Sequence, residues 1–352
     1  MQSHLLLDLA KAGHRMPIGT HLVLAGQADH EGILLDGKRL GKVTIAAARR
    51  FRTPLAVPLM DLTLEKAALL RAGGVPEQEI DSFHFTHTPT VPAPIPLTPR
   101  MEATCAAIAE VAREGDLVPI GMCIGPFSLM TKLVADPITP VFLAGTGVTA
   151  GEDQELALVE SALAAAEAVI GRFVDAQIAA GAKAMIVCEP AANRVYFSPR
   201  QLEESYATFE RLVIEPMRRL KGRLDAGKAA LIFHDCGELT DGMVDRFARL
   251  GAAMLSFGNS RNLWEDAARV PDDIVIYGNL PTKRFYSAEL SVAQVEELAQ
   301  DLVRKMHATG HPFILGSECD VLSVPGAEQE IWGKVDAFMR CGCGGMSARR
   351  VT

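Results

Sequence analysis

The chain has 352 residues, 49% hydrophobic and 22% charged, a balance that supplies a large core and excludes a disordered chain. A formal charge of −8, with no Lys/Arg cluster interleaved with aromatics, excludes a nucleic-acid surface. No run approaches the roughly 18 apolar residues of a membrane span, and MQSHLLLDLAKAGHRMP lacks a small-residue cleavage signal, so no membrane association and a cytoplasmic location are expected.

In chain order, short β-branched or aliphatic runs alternate with longer amphipathic patterns, the signature of βα units and a parallel sheet. Strands are predicted over 18–24, 55–62, 118–124, 184–189, 229–234, 253–257, 273–277 and 312–316. Helices are predicted over 64–72, 102–114, 155–180, 199–220, 239–250, 292–309 and 329–339. Eight strands with this spacing fit a (β/α)8 TIM barrel, one domain over 1–352 with loop insertions near 75–100 and 136–152, better than an open sheet. Residues 89–99 (PTVPAPIPLTP) are too proline-rich for a helix or strand interior and should run extended. The glycines and prolines of 136–151 allow sharp bends; each loop reads equally as a lid or as a solvated connector.

In such a barrel the carboxyl ends of the strands and the loops after them build the site. Here those positions hold His21, Asp61, Cys123 with Gly125-Pro126-Phe127-Ser128, Glu189, His234 with Cys236, Ser256 with Asn259, Asn279, and Glu318 with Cys319. Seven cysteines, at 105, 123, 188, 236, 319, 341 and 343, form no disulfide framework and favour metal binding or core packing. In an extended segment residues two apart point the same way, so His234 and Cys236 can face one ion, and a closed barrel returns Cys319 to the same end. One imidazole and two thiolates form a soft set that suits zinc and leaves a fourth position for Glu189, Glu318, substrate or water. Cys188 is expected to point away from the site, between sheet and helices. The C-x-C of Cys341 and Cys343 lies among glycines past the last helix and is left out of the site.

These residues resemble the uroporphyrinogen decarboxylase superfamily, and within it the cobamide-dependent methyltransferases of the methylcobamide:coenzyme M type. GPFSL (125–129) is similar to the family's glycine-proline loop, and AQIAAGAKAMIVCEP (176–190) to its helix and strand leading to an acidic residue. FHDCG (233–237), IYGNLP (276–281) and FILGSECDV (313–321) are similar to the methyltransferases' His-x-Cys zinc motif, GN-P turn and terminal Cys motif. The resemblance implies zinc on His234, Cys236 and Cys319, and a corrinoid (methylcobamide) cofactor brought by a partner protein, because the chain has no Asp-x-His-x-x-Gly corrinoid motif. Gly125, Pro126, Phe127 and Ser128 are the candidates for contact with that cofactor. Glu189, Asn259, Asn279 and Asp61 are the candidates for positioning substrate or supplying a proton, with Asp61 reading equally as a cap for the helix that follows.

Cys236-Gly237 stands where decarboxylases carry Lys-Gly, and Cys319 where they carry Gly-His-Gly, which disfavours porphyrin decarboxylation. The expected activity is methyl transfer between a small-molecule methyl donor or acceptor and the cobalt of a corrinoid protein. Thiol methylation and O-demethylation both belong to that class of one-carbon chemistry. A uroporphyrinogen decarboxylase-like lyase and a non-catalytic corrinoid-handling protein are the alternatives, and a homodimer is a possible assembly.

Overall fold

Strand formation follows the apolar runs, and proline and glycine decide where each run stops. The computed structural model describes residues 2–90 and 94–341. Its strands are β1 Arg15–Ile18, β2 Leu55–Ala56, β3 Val118–Ile124, β4 Ala184–Cys188, β5 Ala230–Asp235, β6 Met254–Phe257, β7 Val275–Leu280 and β8 Phe313–Asp320. All pair in parallel in the order β1-β8-β7-β6-β5-β4-β3-β2, the arrangement of a (β/α)8 TIM barrel. Past the ends of β1 and β2, Thr20 Oγ1 donates to the Val57 carbonyl at 2.6 Å and ties the first strand to the second.

The helices, in order, are α1 Gln2–Lys11, α2 Thr20–Ala25, α3 His30–Leu35, α4 Gly37–Arg50, α5 Leu64–Ala72, α6 Pro99–Ala112, α7 Pro126–Leu133, α8 Ile138–Gly145, α9 Gln154–Ala179, α10 Pro199–Glu204, α11 Ala207–Phe209, α12 Glu215–Ala226, α13 Asp241–Phe247, α14 Leu263–Asp266, α15 Val292–Thr309 and α16 Glu328–Arg340. Two of them, α5 and α15, run over the spans expected from sequence. For α15 the reason is local: Ser291 and Gln294 form a capping box and Gly310 ends the helix at φ +74°.

The first strand departs from expectation. It ends at Ile18, and 20–25 is helical, because so short an apolar run carries no clear period. The second strand shrinks to two residues because Pro54 and Pro58 flank it and can donate nothing to a ladder. The helix expected over 199–220 is broken at Ser205, and a π-helical turn over Glu210–Ile214 lies just before Pro216, whose ring nitrogen cannot close an ordinary helical bond. Within 136–151 the chain forms α8; residues 91–93 of the proline-rich loop, and Cys343 of the C-x-C pair, lie outside the described residues.

Two cores result. The barrel interior holds Met16, Ile18, Ile120, Met122, Ile186, Cys188, Ile232, Met254, Val275, Tyr277 and Ile314, with Leu6 and Ala10 of α1 packed against them. The larger core lies between sheet and helices and takes the opposite parity, including Cys123, Met185, Val187, Phe233, Leu255 and Phe257. This corrects the expectation for Cys188, which faces the barrel interior beside its register partner His234. Tyr277 stitches the interior: its hydroxyl donates to the Met16 carbonyl at 2.9 Å and accepts from Ser317 N at 3.1 Å, joining β1, β7 and β8.

Candidate metal centre

Alternation along β5 sends Ile232 and His234 inward and carries the same parity to Cys236, just past the strand. β8 runs four residues further than expected and brings Cys319 in within the strand itself. One ligand atom from each of His234, Cys236 and Cys319 lies within 4.8 Å of the other two, forming a possible His/Cys metal-binding site.

The fit of these side chains to a metal rests on three observations. His234 is 1% exposed, its Nδ1 is 2.9 Å from Ser256 Oγ on β6, and its Nε2 is buried with no partner. A buried unpaired ring nitrogen is costly unless something coordinates or bonds it, and a serine that fixes the other nitrogen orients the imidazole as an outer-shell partner of a metal would. The hydrogen bond from Cys319, then the contact with His234 and the positive charge of Lys283, pull the Cys236 thiol down to about 3, while the same bond and burial push Cys319 up. A thiol held close to its thiolate form gives a soft cation its ligand at little cost in proton release.

The other candidate residues are placed differently. Glu189 follows β4 on the outward parity, and its carboxylate accepts from Phe127 N at 2.9 Å, Ser128 N at 2.8 Å and Ser128 Oγ at 2.7 Å. It anchors the first turn of α7, so the amides of Phe127 and Ser128 are turned to a carboxylate of this chain, while the Gly125 amide donates to the Cys188 carbonyl at 2.7 Å. Burial nevertheless pushes Glu189 up to about 7. A Cβ on Gly125 would stand 2.1 Å from Glu189 Cδ, so only glycine admits this approach.

Asn279 Nδ2 donates to the carbonyls of Gly258 and Arg261 at 2.8 and 2.9 Å, and Asn259 Nδ2 donates to the Asn279 carbonyl at 3.0 Å. Glu318 accepts from Asn259 N at 3.2 Å. Together they brace the turn after β6, where Gly258 lies against Cys236: a Cβ there would be 2.7 Å from the Cys236 carbonyl oxygen. Asp61 is paired with Arg100 at 2.6 Å and caps the chain at Thr63, accepting from its amide at 3.2 Å and its hydroxyl at 2.6 Å.

A pocket of about 770 Å³ opens beside Cys319, lined by His21, Met60, Leu62, Asp320 and Leu322. Cys319 Sγ lies 3.7 Å from Met60 Sδ in its wall. Sequence reasoning assigned no role to Ser256, Lys283, Met60 or the His21–Asp320 pair. The inward parity shared by His234 and Ser256 pointed to the first of these; the others depend on loops that follow β7, β2 and β1.

The sequence matches the family described as uroporphyrinogen decarboxylase (URO-D) over residues 23–329. No curated protein matches it. Among solved structures it is similar to a methyltransferase from Methanosarcina mazei, with a TM-score of 0.66 and 16% identity over 92% of this chain and 93% of that one. It also aligns with 3-keto-D-glucoside 4-epimerase YcjR from E. coli at a TM-score of 0.39 and 13% identity, over 68% of this chain and 85% of that one. With a (β/α)8 fold and a family match running from α2 to the start of α16, the chain belongs to the uroporphyrinogen decarboxylase family.

Proposed function

We propose that the chain is a zinc-dependent methyltransferase that passes a methyl group between a small molecule in the pocket beside Cys319 and the cobalt of a separate corrinoid protein. The observation that carries this reading is the buried, unpartnered His234 Nε2 grouped with two sulfurs at the carboxyl end of the barrel. His234, Cys236 and Cys319 would hold zinc, which when bound supplies a Lewis-acid position for a thiolate or an ether oxygen.

The chain's own residues do the rest. Ser256 fixes the His234 ring, Lys283 supplies positive charge next to the two sulfurs, and Glu318, Asn259 and Asn279 hold the turn that supports Cys236. Glu189 keeps α7 and the Gly125–Ser128 turn in place through three hydrogen bonds. A protein partner suits the mouth of the barrel. Leu35, Ile138, Phe142, Val195, Tyr286 and Leu322, all in connections that leave the carboxyl ends of strands, are at least 44% exposed.

Metal content tests the reading. Protein purified without chelator is expected to carry about one zinc per chain, and His234→Ala or Cys236→Ser is expected to lose it while keeping the fold. Methyl transfer that persists in the metal-free variants would exclude it.

A further inference from the structure

Turning a thiol into the thiolate that attacks a methyl group requires a group to take its proton, and the residues that the sequence put forward for that role are committed elsewhere. Glu189 has both oxygens on Phe127 and Ser128; Asp61 has one on Arg100 and the other on Thr63. Asn259 and Asn279 are amides spent on backbone carbonyls, and Lys283 is a cation.

His21 is different. It lies in α2, one turn past the end of β1, and lines the pocket that also exposes Cys319. Its Nδ1 is hydrogen-bonded to Asp320 Oδ2, which leaves Nε2 as the free ring nitrogen, with no hydrogen-bond partner among the described residues. The side chain is 33% exposed, whereas Asp320 is 11% exposed and its Oδ1 is buried with no partner. A buried carboxylate with an unsatisfied oxygen strongly favours a positive charge on its one neighbour. Bonding at Nδ1 also fixes the tautomer, so the lone pair sits on Nε2 at the pocket wall.

We propose that His21 is the catalytic base of this site and that Asp320 is its positioning residue. When a thiol substrate enters the pocket its S–H bond breaks, an N–H bond forms at His21 Nε2, and the electron pair stays on sulfur. The proposal rests on the methyl-transfer reading in its thiol form and adds to it the residue that receives the proton. The neighbours agree with it. Burial alone would lower the imidazole, yet the hydrogen bond and charge of Asp320, with the charge of Asp61, raise it overall against the opposing Arg100. Asp320, Asp61 and Arg100 set the pH at which the base titrates, and His30 and Glu328 are the other titratable groups that line the pocket.

The test uses zinc-loaded full-length protein with 2-mercaptoethanol as the thiol, titrated calorimetrically in buffers of different ionisation enthalpy at a pH just above the His21 transition. If His21 takes the proton, the thiolate formed beside it favours the imidazolium, and wild type releases clearly less than one proton to the buffer per thiol bound, while His21→Gln, with unchanged zinc content, releases about one. Equal release by the two proteins overturns the proposal. Turnover with methylcobalamin adds a second readout. Wild-type kcat rises with pH through the His21 transition; His21→Gln loses that inflection and falls on the order of 10²-fold or more, and Asp320→Asn shifts it to lower pH. An inflection unchanged in His21→Gln contradicts the assignment. Thiol that binds neither protein contradicts the methyl-transfer reading itself, and this inference with it.

Discussion

Residue by residue, the buried polar groups divide into those that the fold satisfies and those it leaves waiting. His234 Nε2 waits, and Glu65 is a second case, outside the metal centre. Its Oε1 accepts from Ile124 N at 3.2 Å, its Oε2 is buried without a partner, and burial pushes its carboxyl up to about 8 from an ordinary 4.5. A folded pKa above the unfolded one means the folded state holds the proton more tightly. The stability linked to Glu65 is therefore complete below the unfolded value and is lost as pH rises through the folded one, by an amount on the order of a few kcal/mol. Glu65→Gln keeps the shape without the charge. Its melting temperature is expected to exceed that of wild type at pH 8–9 and to match it near pH 5. Parallel melting profiles across that range would show that Glu65 is not the source of the pH dependence.

At the level of elements, β5, β6 and β8 act together, since each contributes one part of the centre: the ligand pair on and just past β5, the Ser256 support on β6 and the third ligand on β8. The turn after β6 runs close against the backbone of Cys236, where Gly258 leaves no room for a side chain. Gly258→Ala must push the Cys236 backbone away. The variant is expected to fold, with a stability loss of about 1–3 kcal/mol, and to bind zinc at least ~10-fold more weakly in competition with a chromogenic chelator. Unchanged zinc affinity would mean that the turn after β6 does not set the position of Cys236. Much of this was legible in the sequence: the strand count, the parity that pairs His234 with Cys236, and the return of Cys319 on the last strand. Glu189 and Cys188 were not. Strand β4 is apolar on both faces, so its composition carries no period from which to tell inside from outside. The sequence therefore could not show that Cys188 looks into the barrel while Glu189 looks toward α7.

On the scale of the whole molecule, the amino-terminal part of the chain proved hardest to anticipate. Helices α1, α2, α3 and α4 were not expected; the short β1 lies between α1 and α2, and the short β2 follows α4. Yet that region supplies His21 to the pocket and Met60 to the wall beside Cys319. A barrel returns its first and last strands to the same place, so residues about 300 apart meet, and no short-range pattern encodes such a meeting: the His21–Asp320 pair spans 299 residues. The centre thus combines a ligand set readable from one strand and its distant partner with a proton-accepting pair visible only once the barrel closes. The account turns on methyl transfer at this combined site. The most direct measurement follows the methyl-cobalt absorption of free methylcobalamin mixed with 2-mercaptoethanol and zinc-loaded protein. Wild type is expected to demethylate the cobalt, and Cys319→Ser, folded by circular dichroism, is expected to do so on the order of 10²-fold more slowly. Demethylation at the same rate by Cys319→Ser, or by protein stripped of metal, would contradict the account.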